Sequence, residues 1–155
     1  MHLEFYPSKM LRKICRPISE LTKKRKNKIK EMLILMKRFG GIGIAAPQLG
    51  WNARIFVMNV TRKLDDDMVF INPEIVETSG DIITYPEGCL SIPGAIGLVE
   101  RQRNVIIKAL DLNGKEFVLS DDSLLARCAL HELDHLNGIL MIDKAKRIMS
   151  CNGID

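Results

Sequence analysis

A mixed α and β fold is predicted by three observations: one amphipathic helix near the start, a middle region of short strands, and a late helix that is apolar over most of its circumference. The helix comes first. Thr22 offers an N-cap hydroxyl and Gly40 and Gly41 are natural terminators, so a helix is expected over about 23–39. Within it Ile29, Met32, Leu33 and Met36 recur at helical spacing and mark the face that packs. The basic run from Lys23 to Lys30 then reads most simply as the solvated face, with attraction to a polyanion such as ribosomal RNA as the alternative. From Arg54 the pattern turns to strands, expected over 54–60, 68–71, 75–77, 105–111 and 116–119. Asn113-Gly114 is a hairpin turn between the last two, because both residues tolerate a left-handed backbone. Ser123, following Asp121 and Asp122, caps a second helix expected to run to Leu136 or Asn137 and to end at Gly138.

Composition narrows the class of protein. A chain of 155 residues is the size of one domain, and a single domain over 1–155 is expected. The longest purely apolar stretch, Met32 to Met36, is far shorter than the roughly 20 residues a membrane helix needs. The N-terminus lacks the continuous apolar segment of a secretory signal, which favours the compartment of synthesis. Cysteines at 15, 89, 128 and 151 form no C-x-x-C pair, a pattern that suits free thiols in a reducing compartment better than disulfides.

The second helix carries the chemistry. His131 and His135 are four residues apart and project from one face with Glu132 beside them. In this H-E-x-x-H arrangement two imidazoles bind a divalent metal and the carboxylate moves protons for a metal-activated water. Two histidines, a glutamate and an aspartate in an apolar helix are costly to bury unless partners or a metal offset their desolvation. Cys89, in the Gly- and Pro-punctuated segment Tyr85 to Pro93, is the candidate third ligand, although a buried thiol is more often inert. The small residues of Gly40 to Gln48 either mark tight packing or form a backbone edge that a ligand approaches, ending in a hydrogen-bonding amide. They do not form a phosphate loop, since the Lys-Ser/Thr of a Walker motif is missing and a helix, not a strand, precedes them.

Together these segments resemble the peptide deformylase family. Its motifs G-x-G-x-A-A-x-Q, E-G-C-x-S and H-E-x-D-H stand complete as Gly41 to Gln48, Glu87 to Ser91 and His131 to His135. The resemblance extends from about Tyr6-Pro7 to Asp143. It implies an α+β fold in which antiparallel β-sheets surround a central helix bearing the metal motif, and removal of the formyl group from N-formylmethionine at the start of nascent polypeptides. One divalent metal per chain would sit on Cys89, His131 and His135, with Fe2+ as the ion in the cell and Zn2+, Ni2+ or Co2+ as substitutes. Glu132 would shuttle the proton, and Gln48 with the backbone N–H of Leu90 would stabilise the developing oxyanion. The peptide would lie along Ile42 and Gly43, with the methionine side chain near Tyr85, Leu124 and Cys128; for Cys128, plain core packing is an equal reading. Glu87 and Arg101 would pair and support the Cys89 segment, while Asp134 either orients a ligand or forms a structural salt bridge.

The implied setting is the cytosol, bacterial or of an infected host, with an organelle left open. The implied partners are formylated nascent chains and a transient ribosome contact, with no membrane and no specific nucleic acid. Leu130 stands where the family often has Gln, and Ser123 where it often has Gly; neither is a ligand. Ending at Asp155, the chain is similar to shortened members, including viral ones, whereas many bacterial members continue into a C-terminal helix that some use to contact the ribosome. A zincin-type peptidase shares H-E-x-x-H but needs a downstream ligand, and no histidine follows His135. A silent metal-binding homologue would be expected to lack Glu132 or Gln48, and both are present.

Overall fold

The computed structural model describes residues 1–150; Cys151, noted in the sequence, lies outside them. Helix α1 runs Lys23–Arg38, and the Thr22 hydroxyl accepts the Arg25 N–H as expected of its cap. It buries Ile29, Met32 and Met36, with Leu33 partly covered, and leaves Lys23, Lys24 and Lys30 exposed. Helix α2 runs Leu124–Leu136 with Ser123 as its cap. Asp121 adds to that cap: one carboxylate oxygen accepts from Ser123 N, Ser123 Oγ and Ala126 N at 2.7–2.9 Å. The Ser123 hydroxyl thus has a local use, accepting from Leu125 N and donating to Asp121 at the start of α2.

Between the helices lies a six-stranded antiparallel sheet in the order β1 (Gly43–Ala45), β2 (Ile55–Met58), β3 (Met68–Cys89), β4 (Ile92–Leu110), β5 (Glu116–Asp121), with β6 (Ala145–Ser150) also paired to β4. The 54–60 expectation contracts to β2, and the 75–77 segment is only the middle of β3. The Tyr85 to Pro93 stretch, expected to be a punctuated loop, consists of the ends of a long β3–β4 hairpin, with Cys89 opposite Ile92 across a two-residue turn. Pro86 is tolerated because β3 pairs with β2 only over Met68–Ile71, which leaves its far edge without a ladder for a missing N–H to break. β1 and β6 lacked a legible strand pattern: three small or buried residues and a charged, exposed terminal strand show no alternation.

Two apolar clusters hold these elements together. One lies under α1 and takes in Ile44, Ile55, Val57 and Ile71. The other surrounds α2, where the Phe56 and Phe70 rings stack at 4.5 Å and Phe117 meets Phe70 edge-on. Because α2 packs against β1, β2 and β4, its polar residues face strands on nearly every side.

Candidate metal centre and active site

The helical spacing of His131 and His135 puts their rings 5.0 Å apart on one face of α2, and the end of β3 brings Cys89 to them. Cys89 Sγ lies 3.4 Å from His135 Nε2, and ligand atoms of all three residues fall within 4.8 Å of one another. A tetrahedral ion with bonds of about 2.0–2.3 Å would separate its ligands by roughly 3.3–3.8 Å; the Cys89–His135 pair is already at that separation, and a sulfur with two imidazole nitrogens suits a metal of the zinc or iron class.

The surroundings fix the donors. His131 Nδ1 is 2.8 Å from Glu87 Oε1, which turns Nε2 toward Cys89 in the arrangement expected of a carboxylate-backed ligand. Although burial works against a charge on His131, its hydrogen bonds to Cys89 and Glu87 raise its pKa to about 10. Burial, with the neighbouring His131, holds His135 well below the ordinary histidine range and so neutral, with a lone pair to offer. Its Nδ1 has no hydrogen-bond partner among the described residues.

Glu87 is itself clamped. Arg101 Nε and Nη2 donate to its two oxygens at 2.7 and 2.9 Å, and Arg127 Nη1 donates at 2.9 Å. Burial opposes ionisation, but hydrogen bonds from Arg101 and His131 bring its pKa down to about 2. Arg101 continues to Asp134 at 2.8 Å, and Lys144 reaches the other Asp134 oxygen at 3.0 Å. Asp134 therefore belongs to an ion-pair chain, the structural salt bridge of the two expectations. Leu130 simply packs in the core beside it.

Arg127 was missed in the sequence. It donates to Glu87 and to the carbonyls of Val99 and Ile83, and its guanidinium lies over the Tyr85 ring with 5.5 Å to the centroid. A signal existed: Arg127 stands four residues before His131, an arginine on the same face of an apolar helix, and such a charge needs a partner.

Glu132 is buried against β1. Its Oε2 has no hydrogen-bond partner among the described residues, and burial, reinforced by the charge of Glu87 against the opposing pull of His131, pushes its pKa up to about 7. A Cβ on Gly43 would meet Glu132 Oε1 at 2.6 Å and Cys128 Sγ at 2.7 Å, so the missing side chain is what lets β1 touch the helix. Gln48 follows in a short 3-10 helix. Its Oε1 accepts the Ala45 N–H at 2.8 Å, which orients the amide so that Nε2 donates to Ser91 Oγ at 3.1 Å and points at Cys89 Sγ at 3.6 Å.

A cavity of about 450 Å³ opens over these groups and brings together Ile42, Gly43, Gln48, Glu87, Cys89, Leu90, Cys128, His131 and Glu132. Tyr85 and Leu124, both half exposed, lie at its rim. His135 and Arg101 are not on its wall: His135 faces the thiol from behind and Arg101 acts through Glu87. Cys128 both packs in the core cluster and lines the cavity, and burial raises its thiol well above the usual range, so it is a neutral, apolar wall. Such a centre can hold a cation, move a proton at Glu132 and offer N–H donors from Gln48 to a developing anion.

The chain is similar to known polypeptide deformylases in sequence and in fold. The family model described as polypeptide deformylase matches residues 1–150. The peptide deformylase of Borreliella burgdorferi is 43% identical over 92% of this chain and 86% of its own length, and that of Hydrogenovibrio crunogenus is 40% identical over 92% and 84%. Among solved structures, the peptide deformylase of Synechococcus elongatus in complex with actinonin superposes with a TM-score of 0.90 at 39% identity, covering 94% of this chain and 79% of the other. The Thermotoga maritima enzyme gives 0.89 at 33% identity, covering 94% and 97%.

Proposed function

The chain belongs to the polypeptide deformylase family and removes the formyl group from nascent peptides, and we propose that it does so with Cys89, His131 and His135 holding one divalent metal beside Glu132. One observation carries this assignment: three donors of the right chemistry converge within 4.8 Å, next to a carboxylate whose Oε2 is buried and unpartnered. The bound metal would supply Lewis-acid polarisation and lower the pKa of water at the site.

The remaining work falls to the protein. Glu132, poised near neutral pH, takes a proton from the attacking water and passes one to the departing amine, so that formate and a free N-terminal methionine leave. Gln48 Nε2 and the backbone N–H of Leu90 stabilise the charge that grows on the formyl oxygen, an effect worth roughly 3–4 kcal/mol per donor in comparable sites. The substrate backbone adds to the open edge of β1 at Ile42 and Gly43, where β1 pairs on its other side with β2 alone. Tyr85, Leu124 and Cys128 receive the methionine side chain, and Arg127 stiffens that wall through Tyr85 and Glu87. Glu87 and Arg101 act as positioning residues for His131.

The donor set suits iron, and Fe2+ is the proposed ion, with Zn2+, Ni2+ and Co2+ as replacements. A single catalytic domain over 1–155, a cytosolic setting and a transient ribosome contact complete the proposal; the described residues include no helix long and apolar enough to cross a membrane. The test is formate release from a short N-formylmethionyl peptide by protein prepared without oxygen and loaded with Fe2+ or Zn2+. Metal-dependent release supports the assignment, and its absence from protein carrying one metal per chain would overturn it.

A further inference from the structure

We propose that Arg62 selects substrates bearing a carboxylate two or three residues beyond the methionine. The inference rests on the reading that the peptide lies along β1. Arg62 lines the cavity that holds Gln48, Cys89 and Glu132, yet it is solvent-exposed at the mouth, where Nη2 donates to the Gly40 carbonyl at 3.1 Å. A substrate leaving Glu132 passes Gly43, Ile42 and Gly41 before reaching Gly40. At about 3.3 Å per extended residue, the second or third residue after methionine comes to the guanidinium.

The backbone at Arg62 is held in an unusual state. Its φ is 63°, in the left-handed region that costs a side-chain-bearing residue about 1 kcal/mol or more. Among the described residues, the other non-glycine in that state is Asn72, whose amide ties both N and O of Ile18 and whose side chain tolerates the conformation. The Arg62 side chain makes one internal hydrogen bond, from Nη2 to the Gly40 carbonyl, and pairs with no carboxylate among the described residues. Asn59, buried beneath the loop, accepts the Arg62 N–H at 2.7 Å and donates to Lys63 O and Asp67 Oδ1 at 2.6 and 2.7 Å. That network fixes the turn that puts the side chain on the rim.

The charges nearby leave Arg62 available. Asp66 accepts from Thr61, and Asp67 is taken by Asn59 and Lys37. Within the cavity Glu87 is paired with Arg101 and Arg127, while Glu132 lies on the floor. Arg62 forms no ion pair among the described residues, so the mouth offers a cation in a fork geometry that fits a carboxylate.

The experiment uses the metal-loaded full chain and C-terminally amidated peptides of the form formyl-Met-Ala-X-X-Ala, in which either X is Asp, Asn or Lys and the other Ala. Amidation leaves the side chain as the sole carboxylate. Wild type should prefer Asp over Lys by about two- to five-fold in kcat/KM, the range of a partly exposed ion pair, with the difference in KM. The preference should shrink near 1 M salt, where screening falls to about 3 Å. Arg62→Glu should invert the ratio, and Arg62→Asn, which tolerates the left-handed backbone, should bring it close to one. Because each ratio is taken within one enzyme, loss of folded protein does not mimic the result. Equal ratios in wild type and both variants would overturn the role of Arg62 while leaving the deformylase reading intact; no formate from any peptide would overturn both.

Discussion

Helices α1 and α2 are both capped by a hydroxyl and both carry an apolar face, but they spend their polar residues in opposite ways. α1 buries three of its 16 residues, all apolar, and leaves most of its basic side chains to water. α2 buries ten of 13, and four of those ten are His131, Glu132, Asp134 and His135. Water solvates the first set, whereas the second depends on partners from other elements: Cys89 and Glu87 from β3, Arg101 from β4 and Lys144 from α3 (Met141–Lys144). A helix of the first kind is a buttress. One of the second kind is a site, because most of its buried polar atoms are compensated while Glu132 Oε2, facing the cavity, is left without a partner.

Substitutions that remove a partner from α2 should therefore reach the donor cluster as well as the fold, whereas those on α1 should change stability alone. The largest effect is expected at Cys89→Ala, which should abolish stoichiometric metal binding, measured as metal per chain after desalting; unchanged content would remove Cys89 from the ligand set. Arg101→Met should follow, destabilising the fold by about 3–5 kcal/mol in urea titration because Glu87 and Asp134 lose a buried counter-charge. On α1, Met32→Ala should cost about 2–5 kcal/mol through cavity formation, comparable in size but without effect on metal content. A smaller cost would mean that the α1 cluster relaxes around the void.

Acid should discriminate between the helices as well. Glu87 is depressed from 4.5 to about 2, so its contribution is present above pH 4.5 and is lost as the pH falls from there toward 2. The loss should be on the order of 3 kcal/mol and should vanish in Glu87→Gln, where the acid limb of a stability–pH profile flattens. At the small end, Thr22→Ala should cost about 1 kcal/mol as α1 loses its cap, and Lys30→Ala should stay within about 0.5 kcal/mol.

The contrast also explains what could be read in the sequence. Both helices and the caps Thr22 and Ser123 were legible, since propensity, spacing and capping are local. The three motifs carried the converging donors Cys89, His131 and His135 together with Glu132, Gln48 and Glu87. The length of β3 and β4 was not legible: Thr, Ser, Gly and Asp around 78–81 look like a turn, and only the pairing with 101–105 keeps them in a strand. Arg127 escaped because its partner Glu87 lies 40 residues away. Arg62 escaped because a left-handed backbone at an arginine has no compositional signal.

The most direct test of the account is to measure metal content and formate release together in Glu132→Gln. One metal per chain is expected with turnover reduced by about 10²-fold or more, since the ligands remain and the proton carrier is gone. Near-normal formate release from that metal-loaded variant would contradict it and move the proton transfer to another group.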